Sequence, residues 1–173
     1  MLKYIDTKIV FREVPDETTL AINISGCPFN CRGCHSDYLQ YDAGLPLIPI
    51  ELDWLICAND GITCVSFMGG DGDVKALSKL FGYVKTKYPT LKIAWYSGSN
   101  QPEGYDIIKN LDYYKYGAYI MSCGPLTSPN TNQKFCKVHT NYTKKTVKLE
   151  DITHVFWSNN QKNEDVEEKE NED

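Results

Sequence analysis

Three of the chain's seven cysteines fall within eight residues, Cys27-Pro28-Phe29-Asn30-Cys31-Arg32-Gly33-Cys34. That density is a poor match to three unrelated cysteines and fits a loop wrapped around a common ligand: Pro28 stiffens its entry and Gly33 lets the backbone pass close by. The run directly before it, residues 20–24, is apolar and β-branched and ends at Ser25-Gly26. The cysteines therefore sit at the C-terminal end of a predicted strand, where α/β folds collect ligands and chemistry.

The rest of the pattern supports such a fold. Residues 8–12 read as a strand, 14–17 as a turn and 20–24 as its hairpin partner. A short helix is expected over 49–56, with Pro49 in its first turn, and a strand over 62–68 running into Gly69-Gly70-Asp71-Gly72-Asp73. Leu77, Leu80, Phe81 and Val84 recur at helical spacing over 74–88, with Asp73 as the capping residue. Residues 91–96 form a further strand ending at Ser97, 104–110 a short helix, 113–121 a strand, 122–132 a long polar loop, and 146–149 a last strand with 152–157 packed behind it. Alternation of strand and helix predicts one α/β domain with a mostly parallel sheet and its loops gathered at one end.

Charge narrows the function. The formal charge is −5, and all of it falls in residues 158–173, which hold two lysines against seven carboxylates and one apolar residue, Val166. That segment reads as a disordered acidic tail beyond a neutral domain at 1–157. No basic cluster is present to neutralise phosphates, which argues against nucleic-acid binding. No run approaches the length of a membrane span, and Met1-Leu2-Lys3-Tyr4-Ile5-Asp6 lacks the apolar core of an export signal, so a cytoplasmic protein is expected. An odd cysteine count also argues against a disulfide framework. Cys57 and Cys64, in apolar runs, read as small buried hydrophobes, and Trp54 and Trp95 as core or wall.

Three chemistries compete for the cysteines. A structural zinc site needs a fourth ligand, for which adjacent His35 is poorly placed and Cys57 is distant. Cys31-Arg32-Gly33-Cys34-His35 matches the c-type haem attachment pattern, which leaves Cys27 without a role. In an iron-sulfur cubane, three thiolates hold three irons and leave the fourth open to a ligand. A carrier of electrons, a zinc module and an enzyme all remain open on these grounds.

The C-x3-C-x2-C loop after an early strand, followed by a glycine-rich turn after the next, resembles the radical S-adenosylmethionine (SAM) enzymes. Asn23-Ile24-Ser25-Gly26-Cys27, Met68-Gly69-Gly70-Asp71, Gly124-Pro125 and Thr131-Asn132-Gln133 make it similar to the branch that activates anaerobic ribonucleoside-triphosphate reductase. The resemblance spans roughly residues 7–157. It implies an incomplete (β/α) barrel with a splayed sheet, a [4Fe-4S] cluster on Cys27, Cys31 and Cys34, and SAM chelated at the open iron.

It further implies SAM contacts from Gly33, Cys34, His35 and the Gly69-Gly70-Asp71 turn, whose backbone would receive the methionyl amino group. Asp71 stands where Glu is usual, Gly72 where Pro often follows, and Gly33 where an aromatic residue often lies. Ser97 is placed to touch the ribose, though a turn serine accounts for it equally. Asn132 and Gln133 are candidates to line the site or dock a partner, although polar loop residues usually do neither, and His139 and His154 have no visible role. The implied activity is reductive cleavage of SAM to a 5'-deoxyadenosyl radical, which generates the glycyl radical on the reductase large subunit. A reduced flavodoxin or ferredoxin-type donor would supply the electron. Another glycyl-radical activase and a deazaguanine-type synthase acting on a small molecule are the alternative readings within this superfamily.

Overall fold

The computed structural model describes residues 1–157. The reading of 158–173 as a disordered tail lies outside the described residues.

β1 (Lys3–Val10) and β2 (Thr19–Ile24) pair antiparallel, and β1 begins five residues earlier than its β-branched stretch suggested. Tyr4 explains the extension: its ring is buried and its hydroxyl donates to Glu51 Oε1 at 2.5 Å, which pins the start of the strand to the first helix. A two-residue strand, β3 (Leu45–Pro46), lies along the outer edge of β1. Helix α1 (Pro49–Cys57) then leads to β4 (Cys64–Met68), α2 (Val74–Lys87) to β5 (Lys92–Tyr96), and α3 (Tyr105–Ile108) to β6 (Tyr113–Tyr116). Asp73 caps α2 as expected, its carboxylate accepting the Ala76 N–H at 3.1 Å.

The sheet order is β3-β1-β2-β4-β5-β6-β7-β8, where β7 (Lys134–Asn141) and β8 (Thr146–Asp151) form a hairpin on the far edge. A mostly parallel sheet was the expectation, and this sheet is mixed. The ladders β2–β4, β4–β5 and β5–β6 are parallel, and the four outside them are antiparallel. The distinction follows the connections, since helices supply the long crossovers that parallel neighbours need and hairpins supply the rest. The strand expected over 113–121 stops at Tyr116, and the Gly117 N–H turns back to the Ser99 carbonyl at 2.6 Å.

Side chains alternate across these strands, and the two faces do different work. Leu20, Ile22 and Ile24 of β2, Val65 and Phe67 of β4, Ile93 and Trp95 of β5 and Tyr114 of β6 face the helices and form the main core with Leu52, Leu77, Phe81 and Ile108. On the other face, the N-terminal ends of the parallel strands are sealed by a smaller cluster that includes Cys64, Ala94, Phe135 and Phe156. The C-terminal ends carry Asn23, Met68, Tyr96 and Lys115, and they are left open as one wall of a cavity.

Two readings of apolar residues are corrected. Trp54 is 65% exposed and Cys57 is also exposed, both on the outside of α1, whereas Trp95 and Cys64 are fully buried. An apolar run fixes a helix but not which of its sides meets the sheet.

Candidate functional site

The cysteine loop leaves β2 through a set of backbone bonds that close it on itself. Ser25 Oγ donates to the Ala43 carbonyl at 2.6 Å, Gly26 N–H to Tyr41 O at 3.3 Å and Cys27 N–H to Leu39 O at 3.0 Å. Between these ties the chain arches, and the Cys34 N–H turns back to Cys31 O at 3.2 Å. Cys27, Cys31 and Cys34 are free, half-buried, and line a single cavity of about 700 Å³. Burial pushes the Cys27 thiol up, opposed by its contact with the Phe29 carbonyl.

The opposite wall comes from the turns after β4 and β5. Gly69 and Gly70 both hold positive φ, 93° and 89°, a conformation that L side chains rarely adopt. Gly69, Asp71 and Ser97 line the cavity, as do Gly33 and His35 beside the cysteines. Gly70 does not: a Cβ there would stand 3.0–3.4 Å from the Leu77 and Ile24 side chains, so it faces the core and serves the turn itself. The Gly69 N–H donates to Tyr96 O at 2.9 Å, and its carbonyl accepts the Trp95 indole N–H at 2.8 Å. Each carbonyl oxygen has two lone pairs, and the indole N–H takes one of those on Gly69.

Asp71 binds the two turns together. Its Oδ1 accepts the Ser97 hydroxyl at 2.5 Å and its Oδ2 the Gly98 N–H at 3.4 Å. Burial nevertheless raises its carboxyl above the ordinary range, with Ser97 opposing that shift. Ser97 is buried, and its hydroxyl proton is already committed to Asp71. It therefore acts as a positioning residue of the turn.

Three further residues contribute, of which only Gln133 is a candidate from the sequence. Phe29 lays its ring on Gly98, where an added Cβ would meet ring atoms at 2.5–3.2 Å. Replacing Gly98 with alanine is expected to displace Phe29 and the cysteine loop, at an overpacking cost of about 1–3 kcal/mol. The measurable result is reduced iron per chain after reconstitution while the fold persists. Lys115, the second, is only 8% exposed at the end of β6, its Nζ donating to Gly117 O at 2.7 Å and Ser97 O at 3.3 Å. Burial pulls its ammonium down to about 8, a shift that Asp71 and the three cysteines oppose. Gln133, the third, is buried against the same cavity. Lone His139 instead pairs with Glu150 at 2.7 Å on the β7–β8 surface.

Residues 18–142 match the family model of the 4Fe-4S single cluster domain. The chain belongs to that family. No curated protein and no solved structure matches it.

The residues present fit the cluster of a 4Fe-4S single cluster domain. Such a cluster carries each thiolate on a separate iron, and three thiols share this cavity. None of the other four cysteines among the described residues lines it. Haem attachment through Cys31 and Cys34 would leave unexplained why Cys27 faces the same space. Among the described residues no helix is long and apolar enough to cross a membrane.

Proposed function

We propose that this 4Fe-4S domain is a radical SAM enzyme with an incomplete (β/α)-barrel architecture, and that it activates anaerobic ribonucleoside-triphosphate reductase by generating its glycyl radical. The observation carrying this reading is that three thiols, Gly69 and Asp71, placed after neighbouring parallel strands, line one cavity of about 700 Å³. That volume suits a cluster together with a nucleoside-sized ligand.

When bound, the cluster supplies the electron that splits SAM into methionine and a 5'-deoxyadenosyl radical. Cys27, Cys31 and Cys34 would hold three of its irons, which leaves one iron open for chelation. Gly69 offers its carbonyl to the methionyl ammonium, and the Ser97–Asp71 bond keeps that turn from opening. Gly33 and His35 border the ligand from the cysteine side. Holding the reacting sulfonium beside the cluster is a proximity effect, and the protein's part is to fix that geometry. Exposed Tyr38 lines the cavity and exposed Met121 lies against Gly33, so the mouth offers apolar contacts that favour a protein loop as substrate.

Anaerobic reconstitution followed by dithionite and SAM is expected to yield 5'-deoxyadenosine and methionine. An electron carrier would produce neither. Adding the reductase large subunit is expected to produce a glycyl signal by electron paramagnetic resonance. Cofactor cleavage without that signal would leave a radical SAM enzyme acting on a different substrate. Replacing dithionite with reduced flavodoxin or ferredoxin tests the donor.

A further inference from the structure

Lysine is almost never buried without a compensating partner. Lys115 lies at the cavity end of β6, 8% exposed, and its Nζ makes two hydrogen bonds, both to backbone carbonyls, those of Gly117 and Ser97. Among the described residues it forms no ion pair with a carboxylate. Two carbonyl dipoles fix the ammonium in place but do not neutralise it, and an unneutralised buried charge is costly.

The neutralising groups lie across the cavity. Asp71 is one, tied to Ser97, whose carbonyl Lys115 also holds. The three cysteines are the others, since as thiolates all of them attract the ammonium and oppose the effect of its burial. Lys8 and Glu13, from the β1 side, also face this space and carry opposite charges. Burial acts against the charge on both Asp71 and Lys115, while Asp71 and the three cysteines together favour the ammonium.

We infer that the Lys115 ammonium is the fixed positive charge that offsets the anionic sulfur site and makes a cluster held there easier to reduce. The inference rests on the cluster assignment, and it needs neither SAM nor a protein partner. Reduction adds one electron, from dithionite in the test, and no bond forms or breaks at Lys115. A fixed positive charge in a poorly solvated site stabilises the form with the extra negative charge, and net charge is among the determinants of cluster potential.

The test is a redox titration of the reconstituted full chain, read by electron paramagnetic resonance, for wild type, Lys115→Gln and Lys115→Arg. Glutamine keeps a donor for the two carbonyls and removes the charge; arginine keeps the charge. Iron and sulfide content are measured first, so that failure of the wild type to load is recognised as failure of the cluster assignment. The expected result is a glutamine variant at least tenfold harder to reduce, about 59 mV for one electron, with arginine near wild type. Loss of the cluster from the glutamine variant alone would also support the role of charge. Equal shifts in both variants, no shift in either, or loss of the cluster from both would overturn it, because packing and not charge would then be the cause.

Discussion

Replacing Cys31 with alanine is expected to abolish the broad visible absorbance of the reconstituted protein and to cut 5'-deoxyadenosine formation by a factor of at least about 100. With one of three thiolates gone, two irons would lack a protein ligand instead of one, a coordination set that three cysteines in one cavity are needed to avoid. The fold should survive. Cys31 is half-buried in a loop, takes no part in either apolar cluster, and contributes to the backbone only the carbonyl that receives the Cys34 N–H. Surface-type substitutions of this kind change stability by roughly 0.5 kcal/mol or less. Denaturant unfolding of the apoprotein should therefore leave the midpoint unchanged. Cys57→Ala serves as the control: that thiol is exposed on α1, near the Tyr88 hydroxyl at 3.9 Å and outside the cavity, and its loss should alter neither absorbance nor turnover. A Cys31 variant that still cleaves SAM would sink the proposed function.

The contrast between these two cysteines shows what a sequence reveals and what it conceals. Cys27, Cys31 and Cys34 announced themselves through spacing, because a loop eight residues long has few ways to separate its sulfurs. Gly69-Gly70-Asp71 announced itself through its place after a strand. The elements were legible where periodicity was strong: α2 and β5 appear within a residue or two of the expected bounds, since Leu77, Leu80, Phe81 and Val84 leave one helical face for the core.

Other features depend on partners far away in the chain. Tyr113-Tyr114-Lys115-Tyr116 alternates like any strand, and nothing in it says that Lys115 rather than Tyr114 faces the cavity. Only the ladder with β5 and the position of the helices decide that. β7 was missed because its outer half is largely polar, with Lys137, His139 and Asn141 exposed and Val138 its one apolar residue, beyond the buried Phe135 and Cys136. Gly98 has no unusual φ to betray it; its requirement comes from Phe29, which is 69 residues away in the chain.

Trp95 joins the stability of the fold to the geometry of the site, and Trp95→Ala is the substitution expected to cost the fold most. The ring is fully buried, stacks on Tyr114 at 5.0 Å and meets Phe81 at 5.8 Å, so truncation opens a cavity between β5 and α2. Comparable truncations cost about 3–5 kcal/mol. Such a loss is a large share of the roughly 5–15 kcal/mol that holds a domain together, so the alanine variant should unfold at a much lower denaturant concentration. Trp95→Phe separates the two roles of the side chain. It keeps most of the aromatic packing and removes the indole N–H that the Gly69 carbonyl accepts at 2.8 Å. Losing that bond leaves a turn carbonyl at the cavity wall without its donor, at about 1–3 kcal/mol if the group stays buried. The turn is then free to shift, and under the proposed function the same carbonyl receives the ammonium of SAM. The expected phenotype is a folded protein with a normal iron content whose SAM affinity falls about tenfold, measured by equilibrium binding to the oxidised, loaded protein. If affinity is unchanged while stability drops, the indole serves packing alone and Gly69 does not take part in holding the ligand.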